Sequence, residues 1–404
     1  MGDTLLVTGQ SGPVSWNARN PVDLRMEMMV RLGQGEKLTD LCREYGISRK
    51  TGEKFKKRFR EFGPVGLTDQ SRAPKLIPHK TPPELVEVLL AERRLHPTWG
   101  PRKLKDVLER RLGHAFPAPS TIGDVLAEHG LIEARRKRRR HIPLPTGHRE
   151  VAAPNEVWCI DYKGQFRLGD GSYCYPLTIT DKFSRFILGC EGMAAISDEA
   201  AREVCEEIFR IQGVPAVMHS DNGVPFSCTG LAGLTKLSAY WLRLGIKLER
   251  SRPAHPQDNG RHERMHRTLK AETTRPARDN LLQQQERFDD FIDEFNTQRP
   301  HEALEMKRPA DVYVPSAKKH PAFLPDPDYS TYDDVLRVGN NGLIHLPGRR
   351  QVYLTTALAG QLVGIREETD DRWLVSFMKL DLGYIEPHCN HFTQITAASP
   401  PASN

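Results

Sequence analysis

The sequence lacks the features that mark membrane-spanning and exported proteins. No run of about 18 apolar residues occurs in its 404 residues, so no membrane span is expected. The first residues, Met1-Gly2-Asp3-Thr4, do not combine a basic segment with an apolar core and predict no secretory signal. The seven cysteines are scattered and form no Cys-x-x-Cys pair. This argues against a disulfide framework and a cysteine-rich zinc site, and it favours a reducing cytoplasm.

The composition and length indicate several globular domains with an uneven charge. Hydrophobic residues make up 38% and charged residues 27% of the chain, which is typical of folded proteins. A length of 404 residues predicts roughly two to four domains. Residues 1–150 hold 29 Lys and Arg against 18 Asp and Glu, although the whole chain has a net charge of only +6. Such a basic N-terminal third indicates a polyanionic partner, or else a solvated basic surface.

The region 15–72 is predicted to be a helix-turn-helix unit that binds double-stranded DNA. A short helix near residues 38–44 ends at Gly46, and Ser48 is a plausible N-cap for a basic helix over 49–62. Phe55, Phe59 and Phe62 are expected to face inward. In this motif the second helix enters the major groove. The alternative is a helical hairpin with a basic face. The predicted DNA contacts are Arg49, Lys50, Lys54, Lys57 and Arg58.

A second helical unit, helix-turn-helix or winged-helix-like, is predicted over 80–134. Helices are expected on both sides of Trp99-Gly100-Pro101, with Ser120-Thr121 capping a third, and Arg102 and Lys103 are candidate DNA contacts. A basic tether at 135–150 follows, whose run of like charges predicts an extended segment along phosphates. The alternative for this run is a nuclear import signal. Its cations are Arg135, Arg136, Lys137, Arg138, Arg139 and Arg140.

The composition changes near residue 155, where short β-rich segments begin to alternate with amphipathic helices. Strands are predicted over 157–166, 174–180, 185–191, 214–220 and 246–249. Helices are predicted over 198–212, 231–244 and 258–273. The order βββαβαβα predicts a ribonuclease H-like α/β core, placed at residues 151–315.

Three carboxylates are placed where such a core would bring them together. Asp161 falls on the first strand, Asp221 just after the fourth, and Glu263 on the helix that follows the fifth. Oxygen ligands suit hard cations such as Mg²⁺, and two such ions can clamp an in-line displacement at phosphorus. Arg267 and Lys270 share the helix face of Glu263, where they could hold DNA phosphates.

These residues resemble the DDE triad of bacterial insertion-sequence transposases with a retroviral-integrase-type core. The resemblance rests on His219-Ser220-Asp221-Asn222-Gly223, on Pro256-Gln257-Asp258-Asn259-Gly260-Arg261-His262-Glu263-Arg264, and on Asn296-Thr297-Gln298-Arg299-Pro300-His301 with Leu304. It covers roughly 150–315. It implies two Mg²⁺ ions, replaceable by Mn²⁺, held by Asp161, Asp221 and Glu263. It also implies nicking of transposon ends, joining of 3′-hydroxyls to target DNA, and a homo-oligomer of at least two chains.

One departure from the family pattern concerns spacing. Fifty-nine residues separate Asp161 from Asp221, as the family suggests, but 41 separate Asp221 from Glu263, a few more than it favours. The excess is assigned to 227–236. Glu249 is the competing glutamate and is rejected because it lacks the Pro-Gln-x-Asn-Gly lead-in. Asp181 is interpreted as structural.

The sequence signals of the histidines near Glu263 and of the C-terminal region are less specific than those of the three carboxylates. His255, His262 and His266 do not form a His-Glu-x-x-His zinc motif and are expected to be exposed or to contact phosphate. Short β-patterned runs over 328–395 predict a small SH3-like barrel. Residues 325–404 hold 6 Lys and Arg against 10 Asp and Glu, which favours protein contacts over DNA.

Two other functions remain open on the sequence. One is a non-catalytic helix-turn-helix regulator with a degenerate core, and the other is a ribonuclease H-type nuclease. The intact triad argues against the first, and the N-terminal units argue against the second. The favoured function is a bacterial transposase in the cytoplasm, associated with the nucleoid.

Overall fold

A computed structural model describes residues 20–70, 80–132, 150–252, 259–346, 350–369, 372–386 and 391–395. The chain divides into two compact units, residues 1–80 and 81–404. Within the described ranges, no helix is long and apolar enough to cross a membrane.

The first unit is helical. It contains α1 (Pro21–Gly33), α2 (Leu38–Glu44), α3 (Arg49–Phe62) and a 3₁₀ turn, Gly63–Leu67. The Ser48 hydroxyl accepts a hydrogen bond from the Thr51 amide at 3.1 Å and caps α3, as expected. Gly46, at a φ of 65°, allows the left-handed turn between α2 and α3. Phe55 is buried, but Phe62 is 60% exposed because it ends the helix beyond the core, so its predicted inward position is wrong.

The second unit begins with three helices, α4 (Pro83–Leu95), α5 (Pro101–Leu112) and α6 (Pro119–Glu128). Each has a proline at its start, where the missing amide is not needed. Trp99, Leu104 and Ile122 are buried in their shared core. The N-cap of α6 is Ala118, without a side-chain bond, so Ser120 and Thr121 lie in the first turn and do not cap it as predicted.

The central region is a mixed sheet with helices on it. Its strands are β1 (Val157–Tyr162), β2 (Phe166–Arg167), β3 (Tyr173–Asp181), β4 (Ile187–Met193), β5 (Val217–Ser220) and β6 (Lys247–Arg250). Its helices are α7 (Asp198–Gln212), α8 (Lys236–Arg243) and α9 (Gly260–Thr273). The sheet order is β2-β3-β1-β5-β6, with β4 paired to β3. β1 pairs antiparallel with β3 but parallel with β5, and β5 pairs parallel with β6.

The two faces of this sheet carry different side chains. Trp158 and Ile160 on β1 belong to the apolar core that contains Phe209 of α7. Because side chains alternate along a strand, Cys159 and Asp161 point to the opposite face. That face is covered by α9.

The chain continues through α10 (Leu281–Asp293), a π-helical turn Glu294–Gln298, and α11 (Pro309–Val312). The Asn296 side chain accepts from the Ile187 amide and donates to the Ile187 carbonyl, both at 2.9 Å. This pairing attaches the Asn-Thr-Gln-Arg-Pro segment to β4.

The C-terminal region contains more strands than predicted and an open sheet. The strands β7 (Asp334–Arg337), β10 (Leu362–Thr369), β11 (Arg372–Phe377), β12 (Leu380–Glu386) and β13 (His391–Gln394) form one sheet, while β8 (Leu343–Leu346) and β9 (Arg350–Tyr353) form a hairpin. In these described strands β7 and β13 are unpaired edges of the five-stranded sheet, so the predicted closed barrel is not confirmed. Leu231 and Leu234 pack into the same apolar cluster as Val363 and Phe377.

Candidate active site

Asp161 and Asp221 lie side by side at the carboxyl ends of neighbouring strands. In the parallel pairing of β1 with β5, Cys159 is opposite His219. Asp161 and Asp221 each lie two residues further along, so they have the same phase of the pleat. The turn after β5 fixes Asp221, whose Oδ1 accepts a hydrogen bond from the Gly223 amide at 3.0 Å. The sequence prediction that these two carboxylates meet agrees with this register.

Glu263 is carried by α9, which two buried histidines attach to the sheet. The Thr178 hydroxyl lies 2.8 Å from His262 Nε2 and 2.7 Å from His266 Nε2. His262 Nδ1 lies 2.8 Å from the Thr180 hydroxyl. The two imidazoles are therefore on the side of α9 that faces β3, while Glu263 is exposed beside them.

The expectation that His262 and His266 are exposed or contact phosphate is wrong, since they are 2% and 5% exposed. A pattern in the sequence could have shown this. His262, Met265, His266 and Leu269 follow the i, i+3, i+4, i+7 spacing of a buried helix face. Because histidine is polar, this spacing is not readily recognised as a buried helix face. Position 255 lies outside the described residues.

Counting hydrogens in this network fixes the tautomers. The Thr178 hydroxyl has one proton, which it donates to the Asp161 backbone carbonyl at 3.0 Å. It must therefore accept protons from both Nε2 atoms. This leaves His266 Nδ1 with a lone pair, at 3.7 Å from Asp161 Oδ2. Burial keeps both imidazoles neutral, since it lowers the pKa of His266 to about 3 and that of His262 well below its usual value.

The electrostatics of the site are those of crowded carboxylates. Burial and then the charge of Asp221 raise the pKa of the Asp161 carboxyl to about 7, and Glu263 acts in the same direction. A cation placed among these groups would relieve their repulsion. Asp161, Asp221 and Glu263 offer the oxygen ligands that Mg²⁺ prefers. A ligand atom from each of Asp161, His262 and His266 lies within 4.8 Å of the others, but imidazole nitrogen suits other metals better than Mg²⁺.

The two competing carboxylates have other partners. Glu249 on β6 is opposite His219, and its Oε1 lies 3.3 Å from His219 Nδ1. Asp181 accepts hydrogen bonds from the Asn155 amide at 2.8 Å and from the Ser184 amide at 2.7 Å and hydroxyl at 2.6 Å. These bonds hold the turn between β3 and β4, which agrees with a structural role for Asp181.

The predicted DNA contacts are of two kinds. Three of them have partners within the protein: Arg58 donates to the Thr68 carbonyl at 2.6 Å, Arg102 forms an ion pair with Glu302 at 2.9 Å, and Lys57 forms one with Glu61 at 3.9 Å. Lys103 is half-buried. Exposed side chains are Arg49, Lys50, Lys54 and Lys57 on α3 and Arg267 and Lys270 on α9. Arg135, Arg136, Lys137, Arg138, Arg139 and Arg140 lie outside the described residues.

Comparison with protein families agrees with this arrangement. Residues 151–256 and 244–309 match two models, each described as an integrase core domain. Residues 151–309 are therefore similar to the integrase core family. Residues 24–75 match a helix-turn-helix domain and residues 51–126 a homeodomain-like domain. The predicted resemblance to DDE transposases and integrases is confirmed at this level.

Curated relatives of this chain include bacterial and viral proteins. An uncharacterized 31.7 kDa protein of insertion element IS407 from Burkholderia multivorans is 25% identical over 59% of this chain and 80% of that protein. The Gag-Pol polyprotein of baboon endogenous virus is 28% identical over 47% of this chain and 11% of the polyprotein. The chain thus spans about a tenth of the viral polyproteins that it matches.

Solved structures similar to this chain include an integrase catalytic core domain and a chain of an intasome. The HTLV-2 integrase catalytic core domain in complex with magnesium is 14% identical, with 40% of this chain and 97% of that chain covered and a TM-score of 0.32. A chain of the simian T-cell lymphotropic virus intasome is 15% identical, with 73% and 97% covered and a TM-score of 0.35.

Proposed function

We propose that this chain is a DNA transposase. It nicks DNA at the ends of its element and joins the freed 3′-hydroxyls to target DNA by transesterification. One observation supports this most strongly. Asp161 and Asp221 lie at the ends of adjacent parallel strands, and the charges of both Asp221 and Glu263 act on the Asp161 carboxyl. Three converging carboxylates in an integrase core are the ligand set for phosphoryl transfer.

The proposed cofactor is Mg²⁺, as two ions that Mn²⁺ could replace, with Asp161, Asp221 and Glu263 as the ligands. When bound, the ions supply Lewis-acid activation of the attacking oxygen and charge stabilisation of the leaving oxygen. The residues of the chain position the reactants. The Thr178 network holds α9, and therefore Glu263, against β1 and β3. Arg267 and Lys270, exposed on the same helix, are placed to bind phosphates.

The proposed partners are double-stranded DNA and further copies of the chain. The helical units would hold the element ends through the exposed cations of α3 and through the basic tether. A transposon has two ends, and one active site serves one strand at a time, so at least two chains are required. We place the protein in the bacterial cytoplasm, associated with the nucleoid, because its substrate is there.

The proposal is tested by a joining assay with the inverted repeats that flank the gene. Labelled end duplexes are incubated with a supercoiled plasmid and the purified protein, with Mg²⁺ or with a chelator. We expect nicked ends and end–plasmid joints only with the metal. Nicking without joining would favour a nuclease, and binding without either would favour a regulator.

We expect the affinity for Mg²⁺ to depend on pH because protons and metal compete for Asp161. The pKa of this carboxyl is about 7 without metal. Below that pH the carboxyl must lose a proton before it can bind, so the apparent affinity should fall about tenfold per pH unit and level off above it. Calorimetric titration with Mg²⁺ on both sides of the pKa measures this. An affinity that is constant across this range would contradict the assignment of Asp161.

A further inference from the structure

A basic cavity lies on the other side of His262 from the carboxylates. It has a volume of about 370 Å³ and is bounded by α5, the β3–β4 turn, α9 and the segment near His301. In the part of the chain that the structure describes, its lining includes seven Lys and Arg side chains and two carboxylates, Asp181 and Glu302. The cavity therefore has a large local excess of positive charge.

Neither carboxylate fully neutralises the cavity: Asp181 raises the pKa of Arg185 and Glu302 raises that of Lys103, but burial outweighs both effects. The oxygens of Asp181 accept three hydrogen bonds from Asn155 and Ser184. Glu302 is paired with the exposed Arg102 at 2.9 Å. Among the residues that the structure describes, no salt bridge or side-chain hydrogen bond is formed by Lys103, Lys182, Arg185 or Arg264.

Lys103, Lys182 and Arg185 are buried or half-buried, which makes their mutual repulsion costly, whereas Arg264 is exposed. Lys182 is only 7% exposed. Burial, with Arg299 next, lowers the pKa of Lys103 to about 8. Burial, with Arg261 and Arg264 next, lowers the pKa of Arg185 to about 10. Buried like charges are tolerated at this density when an anion is bound among them.

A neutral donor or acceptor in the lining also lacks a partner. Nε2 of His301 is buried and makes no hydrogen bond in the described part of the chain. Burial and the charges of Lys103 and Arg299 lower the pKa of His301 to about 3, so it is a neutral imidazole that can donate a hydrogen bond. Buried polar atoms normally have partners, so this nitrogen is a further unpaired polar group among the lining residues.

We propose that this cavity binds a backbone phosphate of the DNA strand whose nearby phosphodiester reacts at the three carboxylates. The inference rests on the proposed function for the identity of the ligand. Cys159 lines the cavity and lies two residues before Asp161 on β1, a distance of about 7 Å along the strand. A single DNA strand can therefore reach both places. The cavity also joins Lys103 of the second helical unit to the core, so it is complete only when that unit is docked.

The test compares two cavity variants with two matched controls. Lys103→Met and Arg185→Gln remove one cavity cation each. Lys247→Met and Arg210→Gln remove exposed cations at the amino end of β6 and at the end of α7. Melting temperatures are measured without divalent metal, in inorganic pyrophosphate and in chloride of equal ionic strength. Affinity for a duplex of arbitrary sequence is measured over a range of salt.

The wild type and the controls are expected to melt at a higher temperature in pyrophosphate than in chloride. The same exchange of salt should raise the melting temperature of the cavity variants less. Each cavity variant should also lower the slope of log affinity against log salt by about 0.9, whereas the controls should not. Without pyrophosphate, the cavity variants should melt no lower than the wild type because a buried repulsion is removed.

Other results would overturn the inference. An equal pyrophosphate effect in all proteins would exclude an anion site in the cavity, and so would no effect in any. If the cavity variants lose the pyrophosphate effect but keep the salt slope of the wild type, the cavity is a site for a free polyanion and the DNA assignment is refuted. Cavity variants that melt well below the wild type would show that the cations are structural. A wild type that binds pyrophosphate in the cavity but joins no DNA would refute the proposed function alone.

Discussion

Asp161→Asn is expected to abolish strand cleavage and joining while making the metal-free protein more stable. The substitution removes the ligand charge that would hold the metal, which should reduce the rate by at least about a thousandfold. It also removes a strained carboxylate. The pKa of Asp161 is about 7 in the folded chain, whereas an unfolded Asp titrates near about 3.9.

The direction of the stability effect follows from these two values. A carboxyl whose pKa is raised by folding gives up its proton less readily in the folded state. The resulting destabilisation is absent below the unfolded pKa, grows between the two values and is complete above about pH 7. Asn carries no charge, so Asp161→Asn should melt higher than the wild type at neutral pH but not at low pH.

The measurements are single-turnover joining and thermal unfolding in a chelator, at neutral and at acidic pH. Asp290→Asn, an exposed change on α10, serves as the control and should alter neither. Binding of end DNA should persist because affinity comes from phosphate and base contacts elsewhere. Full joining activity in Asp161→Asn would remove this residue from the triad. A melting temperature of Asp161→Asn below that of the wild type at neutral pH would contradict the repulsion among the three carboxylates.

Thr178→Val is expected to destabilise the protein and to reduce joining strongly. Valine has nearly the same shape but cannot accept from His262 Nε2 or His266 Nε2, nor donate to the Asp161 carbonyl. Each buried polar group left without a partner costs about 1–3 kcal/mol. Because these bonds attach α9 to β3, their loss should also displace Glu263.

Thr178→Ser is the matched control, since it keeps the hydroxyl and removes only a methyl group. Urea unfolding should show a loss of at least about 2 kcal/mol for the valine variant and less than about half of that for serine. Joining should follow the same order. If the two variants unfold alike and join alike, the hydroxyl does not attach α9.

The sequence was most informative about features that neighbouring residues determine. Asp161 and Asp221 follow short apolar runs, so their strands and their meeting could be predicted. The cap at Ser48 and the turn at Gly46 are local features, and α3 begins and ends where predicted. These features depend on neighbouring residues alone, which is why a single sequence was sufficient for them.

Other features depend on contacts that are distant along the chain. The burial of His262 and His266 requires Thr178 and Thr180, more than 80 residues earlier. The residues assigned to a longer loop at 227–236 include Leu231 and Leu234, which pack with the C-terminal strands. The basic cavity joins residues of β1, α5, the β3–β4 turn, α9 and the segment near His301. The helical spacing of His262 and His266 indicates a buried face but not its partners on β3, and the other two pairings leave no periodic signal in one sequence.

The most direct test of the account compares Glu263→Gln with Glu249→Gln in single-turnover joining of pre-cut ends with Mg²⁺. Glu263 influences the Asp161 carboxyl, whereas Glu249 contacts His219. If Asp161, Asp221 and Glu263 hold the metal, we expect a loss of at least about a thousandfold for Glu263→Gln and near wild-type joining for Glu249→Gln. Joining that survives in Glu263→Gln and fails in Glu249→Gln would contradict it.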